Sequence, residues 1–149
     1  MTRPARAVLF VGGLLVCAAL PVVGRELRSG GRERCALDGV AVPAATRVRV
    51  VDESGLDRPF CCVDCARRWL ANRGGRPRGI FATDETTGAE VPAGEAWFVE
   101  SRVPAFAVCG CNVHTFAREA DALRHAEAFG GRILAGDEGP LRPKEGGDR

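Results

Sequence analysis

The sequence contains no tyrosine, and its single methionine is the first residue. Seven phenylalanines and two tryptophans are the only large aromatic side chains among 149 residues. This small supply of large apolar groups predicts a modest hydrophobic core, which cross-links through a metal ion or disulfides would stabilise further. The shortage of methionine also excludes a metal site built from thioether ligands.

A strong charge of either sign is missing too, since the formal net charge is only +2. No segment combines basic residues with aromatics as single-strand binders do, so we expect no nucleic-acid partner. The chain also lacks a nucleophile elbow, a phosphate-binding glycine loop and paired carboxylates. Asp38, Asp84 and Glu85 are acid–base candidates without partner groups, and the last two are predicted turn residues. The sequence therefore does not favour an enzyme.

The amino-terminal segment is typical of exported proteins. Arg3 and Arg6 give it a basic start, and the uncharged apolar run 7–23 follows. This pattern predicts a cleaved secretory signal or a retained membrane anchor, close to the lower limit of ~17 residues for a spanning helix. Cys17 offers a third interpretation, a lipoprotein. We therefore expect a periplasmic protein that is membrane-anchored or a lipoprotein.

Composition divides the chain into three parts. Residues 1–32 form the signal or anchor segment and a glycine-containing linker. Residues 33–135 form the folded part, whose length is typical of one domain. Residues 136–149 are rich in glycine, proline and charge, which predicts a disordered tail.

The first half of the folded part contains two predicted strands and a helix. Residues 46–52 alternate polar and apolar side chains, as a half-buried strand does, and residues 58–60 form a short second strand. Apolar residues at three- and four-residue steps predict a helix over residues 62–71.

The second half repeats this order. Residues 80–83, 96–101 and 105–108 are predicted strands, residues 116–129 a helix capped by Thr115, and residues 132–135 a last strand. Two similar strand-strand-helix halves predict an α+β fold with helices packed on an antiparallel sheet.

Six cysteines lie beyond residue 34 in three groups: Cys35, then Cys61-Cys62-x-x-Cys65, then Cys109-x-Cys111. Thiolates at such close spacing can converge on one soft metal ion. The middle group stands at the start of the predicted helix, where the helix dipole lowers the pKa of thiols. Cys35 is the natural extra ligand. The alternative is that Cys65 belongs to the core while Cys35 forms a disulfide with Cys61 or Cys62.

The third group continues to His114, which gives the pattern Cys109-Gly110-Cys111-x-x-His114. The glycine predicts a tight turn that presents two sulfurs, and the imidazole could be a further ligand. A redox pair or a structural disulfide to the middle group is the alternative interpretation. His125 is predicted to be a solvated helix residue.

The order of these segments resembles the NosL family, nitrous oxide reductase accessory proteins that are exported and bind copper. Residues 35–42 resemble the family's opening CxxCGM segment, and residues 58–70 its stretch containing C-M…Y-L. Residues 80–88 followed by 96–99 are similar to its V-x-D-[YF]-x-T-G…A-x-Y-V segment. Residues 116–134 resemble its closing pattern, so the resemblance extends over residues 35–135.

The resemblance implies two similar α+β halves, related to the organomercurial lyase core, in a membrane-tethered periplasmic chaperone. Its cargo would be Cu(I), delivered to a copper-receiving protein for assembly of a copper centre. The chain departs from the family pattern in two segments. Asp38 replaces the second Cys and Val40 the Met of the family's CxxCGM segment. Cys109 and Cys111 lie where the family has a Met-containing segment. Thiolates suit Cu(I), and these departures make Zn(II) the alternative.

The sequence thus predicts an exported, membrane-associated soft-metal-binding protein or metallochaperone of the NosL type. One alternative is a structural protein with disulfides or a closed zinc site. The other is a thiol enzyme, either redox or organomercurial-processing. An exchangeable copper site would separate the first interpretation from the second, and turnover of a disulfide or C–Hg substrate would favour the third.

Overall fold

A computed structural model describes residues 33–73, 75–134 and 139–141. The predicted signal or anchor segment, and the predicted tail apart from residues 139–141, lie outside these residues. Within the described part, no helix is both long and apolar enough to cross a membrane.

Four strands form the first sheet, and every pair of neighbours is antiparallel. They are β1 (Val48–Val51), β2 (Asp57–Phe60), β3 (Gly79–Thr83) and β4 (Glu90–Pro92), in the order β2-β1-β3-β4. The prolines of this sheet occupy its two edge strands, where a missing backbone N–H costs no internal ladder bond. The sheet therefore places the end of β2 at an edge, directly before the helix that carries three cysteines.

Three strands form the second sheet, which is also antiparallel. They are β5 (Trp97–Glu100), β6 (Val113–Phe116) and β7 (Arg132–Leu134), in the order β6-β5-β7. Two helices complete the fold, α1 (Val63–Ala71) and α2 (Glu119–Phe129). The predicted α+β class with antiparallel strands is confirmed, although the strands form two sheets.

The main core combines residues of both sheets with one face of α1. Phe60 and Val48 come from the first sheet, Phe98 and Val113 from the second, and all are at least nine-tenths buried. The described cysteines except Cys109 belong to this same buried cluster. Leu141 is also buried in it, so part of the segment predicted to be a disordered tail packs against the core. A smaller cluster of Val99, Phe116 and Ala122 joins α2 to the second sheet.

The predicted helix over residues 116–129 begins too early. Thr115 is not its cap but pairs with Phe98 in the strand β6, and α2 begins at Glu119. All four residues of β6 are buried, so this strand lacks the alternation that reveals a strand in sequence. Within α2, Leu123 and Phe129 are exposed, whereas Ala122 is buried.

The predicted strand at residues 105–108 is wrong as well. Phe106 makes only a single bridge to Cys111, and a 3-10 turn follows at Ala107–Cys109. The predicted strand at residues 80–83 exists as β3, but it pairs with β1 and so belongs to the first sheet. Pairing between strands is a tertiary choice, and the local sequence pattern does not specify it.

Candidate metal centre

The amino-terminal end of α1 carries three of the cysteines. Cys62 has an extended backbone and precedes the first helical residue, and its carbonyl accepts a hydrogen bond from the amide of Ala66. Cys61 and Cys65, four residues apart, place their sulfurs 3.5 Å from each other. The Cys61 and Cys62 sulfurs are 4.0 Å apart. The hydroxyl of Thr46 donates to the Cys61 carbonyl at 2.7 Å and fixes this residue just before the helix.

Cys35 reaches the same place from a tight loop before β1. The amide of Gly39 donates to the Cys35 carbonyl at 2.9 Å, and Gly39 has a φ of 73°, which favours glycine. The amide of Ala36 donates to the carbonyl of Pro59 in β2 at 2.8 Å. These bonds fasten the loop to the strand that leads into Cys61.

Asp38 lies in this loop and contacts three of the sulfurs. Its Oδ1 accepts a hydrogen bond from the Val40 amide at 3.0 Å, which turns Oδ2 towards the cluster. Oδ2 is 3.3 Å from the sulfur of Cys65, 3.5 Å from that of Cys109 and 4.0 Å from that of Cys61. Sequence reasoning treated Asp38 as an acid–base candidate without partners and missed this role. Its alignment with the second cysteine of the CxxCGM segment was the signal that could have revealed it.

Cys109 arrives from the second half of the chain on a tight turn. Phe106 and Cys111 close this turn with backbone hydrogen bonds in both directions, and Gly110 adopts a left-handed conformation with a φ of 65°. The Cys109 sulfur lies 3.3 Å from that of Cys61. Cys109 is half-buried, whereas the other described cysteines are buried.

Together these residues form two overlapping sets of four ligands. Cys61, Cys62, Cys65 and Cys109 form one set; Cys35, Asp38, Cys61 and Cys65 form the other. Within each set the ligand atoms all lie within 4.8 Å of one another. A tetrahedral ion with metal–sulfur bonds of 2.3 Å separates its sulfurs by about 3.8 Å, so the observed distances suit a metal ion. Asp38 and Cys109 are the more exposed members, and the cluster opens to solvent beside them.

The thiols of Cys61 and Cys65 are protonated in the absence of metal. Burial raises the pKa of Cys61 and Cys65 far above the ordinary value of a thiol. The predicted lowering of these pKa values by the helix dipole is therefore wrong, because burial outweighs it. A metal ion must displace protons from these thiols when it binds.

The carboxyl group of Asp38 behaves in the opposite way. Burial alone would raise its pKa, but the amide of Val40 and the thiols of Cys35, Cys65 and Cys109 donate hydrogen bonds and lower it. The carboxylate is therefore the ready negative charge at the open side of the cluster.

Cys111, another predicted ligand, lies beneath the cluster. It is fully buried, and its sulfur is 3.8 Å from the carbonyl oxygen of Val113. A contact with Cys62, together with burial, raises the pKa of the Cys111 thiol. Cys111 belongs to neither four-ligand set among the described residues. No disulfide joins any of the six cysteines in the described part of the chain.

His114, the last predicted ligand, is separated from the cluster by its own hydrogen bonds. Its Nδ1 is 2.8 Å from Glu85 Oε2, and its Nε2 is 3.1 Å from the carbonyl oxygen of Val103. Burial would lower its pKa, but these bonds raise it, and both nitrogens donate when the ring is charged. Both ring nitrogens therefore have partners, and among the described residues His114 belongs to neither four-ligand set.

His125 also differs from its prediction. Its ring lies 4.1 Å from that of His114 and packs between the rings of Phe116 and Phe129, so it is half-buried and not a solvated helix residue. Burial and the neighbouring His114 lower its pKa. Glu85, which faces His114, lies in a turn as predicted. The two histidines therefore form a packing cluster around α2.

Comparison with solved structures shows a similar fold in the copper chaperone NosL from Shewanella denitrificans. The two superpose with a TM-score of 0.63 at 19% sequence identity, over 71% of this chain and 88% of that chain. No protein-family model and no curated protein matches the sequence. The chain therefore has the fold of the copper chaperone NosL, as the resemblance predicted, with a cysteine-rich cluster that could hold a metal ion.

Proposed function

We propose that this protein binds and carries a soft metal ion, Cu(I), at the cluster formed by Cys61, Cys65, Cys109, Asp38 and the neighbouring Cys35 and Cys62. The observation that carries the proposal is the convergence of five thiols from three distant chain segments on a fold shared with a copper chaperone. Soft thiolates are the ligands that Cu(I) prefers. The ion is cargo in this proposal, and no group of the cluster performs catalysis.

The open side of the cluster supports a carrier over a permanently closed structural site. Cys61, Cys62 and Cys65 are buried, but Asp38 is exposed and Cys109 is half-buried. An incoming thiolate or thioether of a receiving protein can therefore reach the ion beside these two residues. Transfer then proceeds by exchange of one ligand at a time, while the buried sulfurs hold the ion.

Export and membrane association belong to the same proposal. The basic start and apolar run of residues 7–23 are the features that support them. A tethered carrier outside the cytoplasm would keep reduced thiols from pairing as disulfides by holding them on the metal ion.

The test is a competition titration of the full-length, reduced protein against a chromophoric Cu(I) chelator. Replacing Cys61 and Cys65 together by Ser should weaken binding by more than about 100-fold, because even loss of an outer hydrogen-bond partner costs 10–100-fold at metal sites. The matched control is Cys111→Ser, which changes a buried cysteine outside both ligand sets and keeps a hydrogen-bonding group beside Cys62, so it should lower the affinity far less than the double variant does. Unchanged affinity in the double variant would rule out this cluster as the copper site.

A closed zinc site is the competing function, and the oxygen of Asp38 among the sulfurs favours it, since Zn(II) accepts mixed sulfur and oxygen ligands. Metal content of the protein and the rate of exchange with a chelator distinguish the two. Zinc that stays bound in excess chelator, with no copper bound in its place, would identify the structural site.

A further inference from the structure

The two ligand sets share two sulfurs, and this overlap is not expected of a site for one ion. Cys61 and Cys65 belong to both sets. Cys62 and Cys109 complete one set, and Cys35 and Asp38 complete the other. The cluster therefore offers six donors, whereas a soft ion takes up to four in a tetrahedral site. A single ion would leave at least two of these six donors unused.

The two shared sulfurs have the separation that a bridged pair of ions needs. A thiolate sulfur has several lone pairs and can bind two metal ions at once. The Cys61 and Cys65 sulfurs are 3.5 Å apart. With bonds of 2.3 Å, two ions placed on either side of this pair of sulfurs would be about 3 Å apart.

The remaining donors lie where terminal ligands are required. The Cys61 sulfur is 3.3 Å from the Cys109 sulfur and 4.0 Å from the Cys62 sulfur. Oδ2 of Asp38 is 3.3 Å from the Cys65 sulfur and 3.5 Å from the Cys109 sulfur, and Cys35 lies within 4.8 Å of both bridging sulfurs. Each ion thus has two bridging sulfurs and two further donors within reach.

We propose that the full cargo is a pair of Cu(I) ions bridged by the thiolates of Cys61 and Cys65. Cys62 and Cys109 bind one ion, and Cys35 and Asp38 bind the other. This proposal rests on the function proposed above and specifies its stoichiometry. Each thiol that becomes a ligand releases its proton to solvent, and no electrons are exchanged.

The test is an anaerobic titration of the full-length, reduced protein with Cu(I), followed by X-ray absorption spectroscopy of the loaded protein. The wild-type protein should bind two equivalents, and its spectrum should contain a copper–copper distance of about 3 Å. The Asp38→Asn, Cys35→Ser double variant should bind one equivalent and lose the copper–copper signal. The Cys61→Ser, Cys65→Ser double variant should lose both equivalents, because its missing sulfurs serve both ions. Cys111→Ser should keep both.

The outcomes separate this proposal from the function on which it rests. One tight equivalent without a copper–copper distance would overturn the pair of ions and leave the copper carrier intact. No copper bound by correctly folded wild-type protein would overturn both. Circular dichroism of each variant identifies losses caused by misfolding, and the single change Asp38→Asn, at an exposed residue, tests the second ion without disturbing the core. If the single variants Asp38→Asn and Cys35→Ser each still bind two equivalents of Cu(I), the assignment of Asp38 and Cys35 as ligands of the second ion is contradicted.

Discussion

At the scale of single residues, Asp38 contacts the cysteine cluster, whereas the predicted ligand His114 lies outside both four-ligand sets of the described residues. Asp38 places one carboxylate oxygen against three sulfurs, while the imidazole of His114 is held by Glu85 and Val103. The cause is geometric. Asp38 lies in the loop fastened to β2, beside Cys61, whereas His114 lies in β6 and faces α2.

His114 is therefore predicted to support stability and not copper binding. The variant His114→Gln should lower the free energy of unfolding by roughly 1–3 kcal/mol, because the half-buried Glu85 and Val103 lose their hydrogen bonds to the ring. The full-length variant should keep the Cu(I) affinity of the wild-type protein. Denaturant unfolding and the chelator competition measure the two effects. A loss of affinity without a loss of stability would restore His114 as a ligand.

The same variant should reveal a pH dependence of stability. The hydrogen bonds of His114 to Glu85 and Val103 raise its pKa above the ordinary value of 6.5. The stabilisation is therefore fully present below pH 6.5 and is lost as the pH rises through the raised pKa. The neighbouring groups that face the ring are Glu85, His125 and Cys111. The difference in unfolding free energy between wild type and variant should shrink over that interval, and a difference that grows would contradict the assignment.

At the scale of elements, the turn that carries Cys109 decides whether the second half of the chain reaches the cluster. Phe106 and Cys111 pair across it, and Gly110 completes the reversal in a left-handed conformation. A Cβ at Gly110 would meet no neighbouring atom, so backbone strain alone opposes a side chain there.

We expect Gly110→Ala to lower the unfolding free energy by about 1–2 kcal/mol, the cost of a left-handed backbone for a residue with a side chain. Relief of the strain should also displace the Cys109 sulfur from the cluster. We expect this displacement to weaken Cu(I) binding by roughly tenfold, which corresponds to ~1.4 kcal/mol.

Gly88→Ala is the matched control for this prediction. Gly88 has a φ of 75° and equally open surroundings, but it lies in the turn after Asp84, away from the described cysteines. It should lose similar stability and keep the affinity. Equal affinity in both variants would show that Cys109 does not bind the ion.

The fold elements show where sequence patterns suffice. The helix α1 and the strands β1, β2, β3, β5 and β7 follow the predictions closely, because each has a local period and a clear boundary. The strand β6 is missed since both of its faces are buried. The strand β4 is missed because it is three residues long and ends in Pro92, which is tolerated only at the edge of the sheet.

At the scale of the whole molecule, the buried cysteines of the metal cluster are part of the main core. Cys35, Cys61, Cys62, Cys65 and Cys111 are part of the same cluster as Phe60 and Val48. A metal ion bound there joins the loop before β1, the start of α1 and the turn before β6. Metal binding and folding are therefore expected to be coupled, as in other small proteins with a limited core.

Export is a prediction at this scale as well, since it concerns the entire chain. A reporter that is active only outside the cytoplasm, fused after Arg149, should be active, because residues 1–32 are predicted to direct the chain across the membrane. The control lacks residues 1–32 and should be inactive with the same reporter. Activity confined to a cytoplasmic reporter would contradict the periplasmic location proposed here.

The sequence by itself determined the kind of chemistry and the class of fold. Cys61, Cys62 and Cys65 are close in the chain, so the local geometry of one helix start brings their sulfurs together. The absence of methionine beyond the first residue left thiolates as the soft ligands, and the spacing of strands and helices specified an α+β fold.

The tertiary structure alone decided which other residues complete the site. Cys61 and Cys109 are 48 positions apart in sequence, and their sulfurs are 3.3 Å apart. Cys65 and Asp38 are 27 positions apart, and the Cys65 sulfur is 3.3 Å from Oδ2 of Asp38. No local period encodes such a contact. It depends on how the two sheets and the loops pack around one core. The same packing excludes water from Cys61 and Cys65 and so raises the pKa of their thiols.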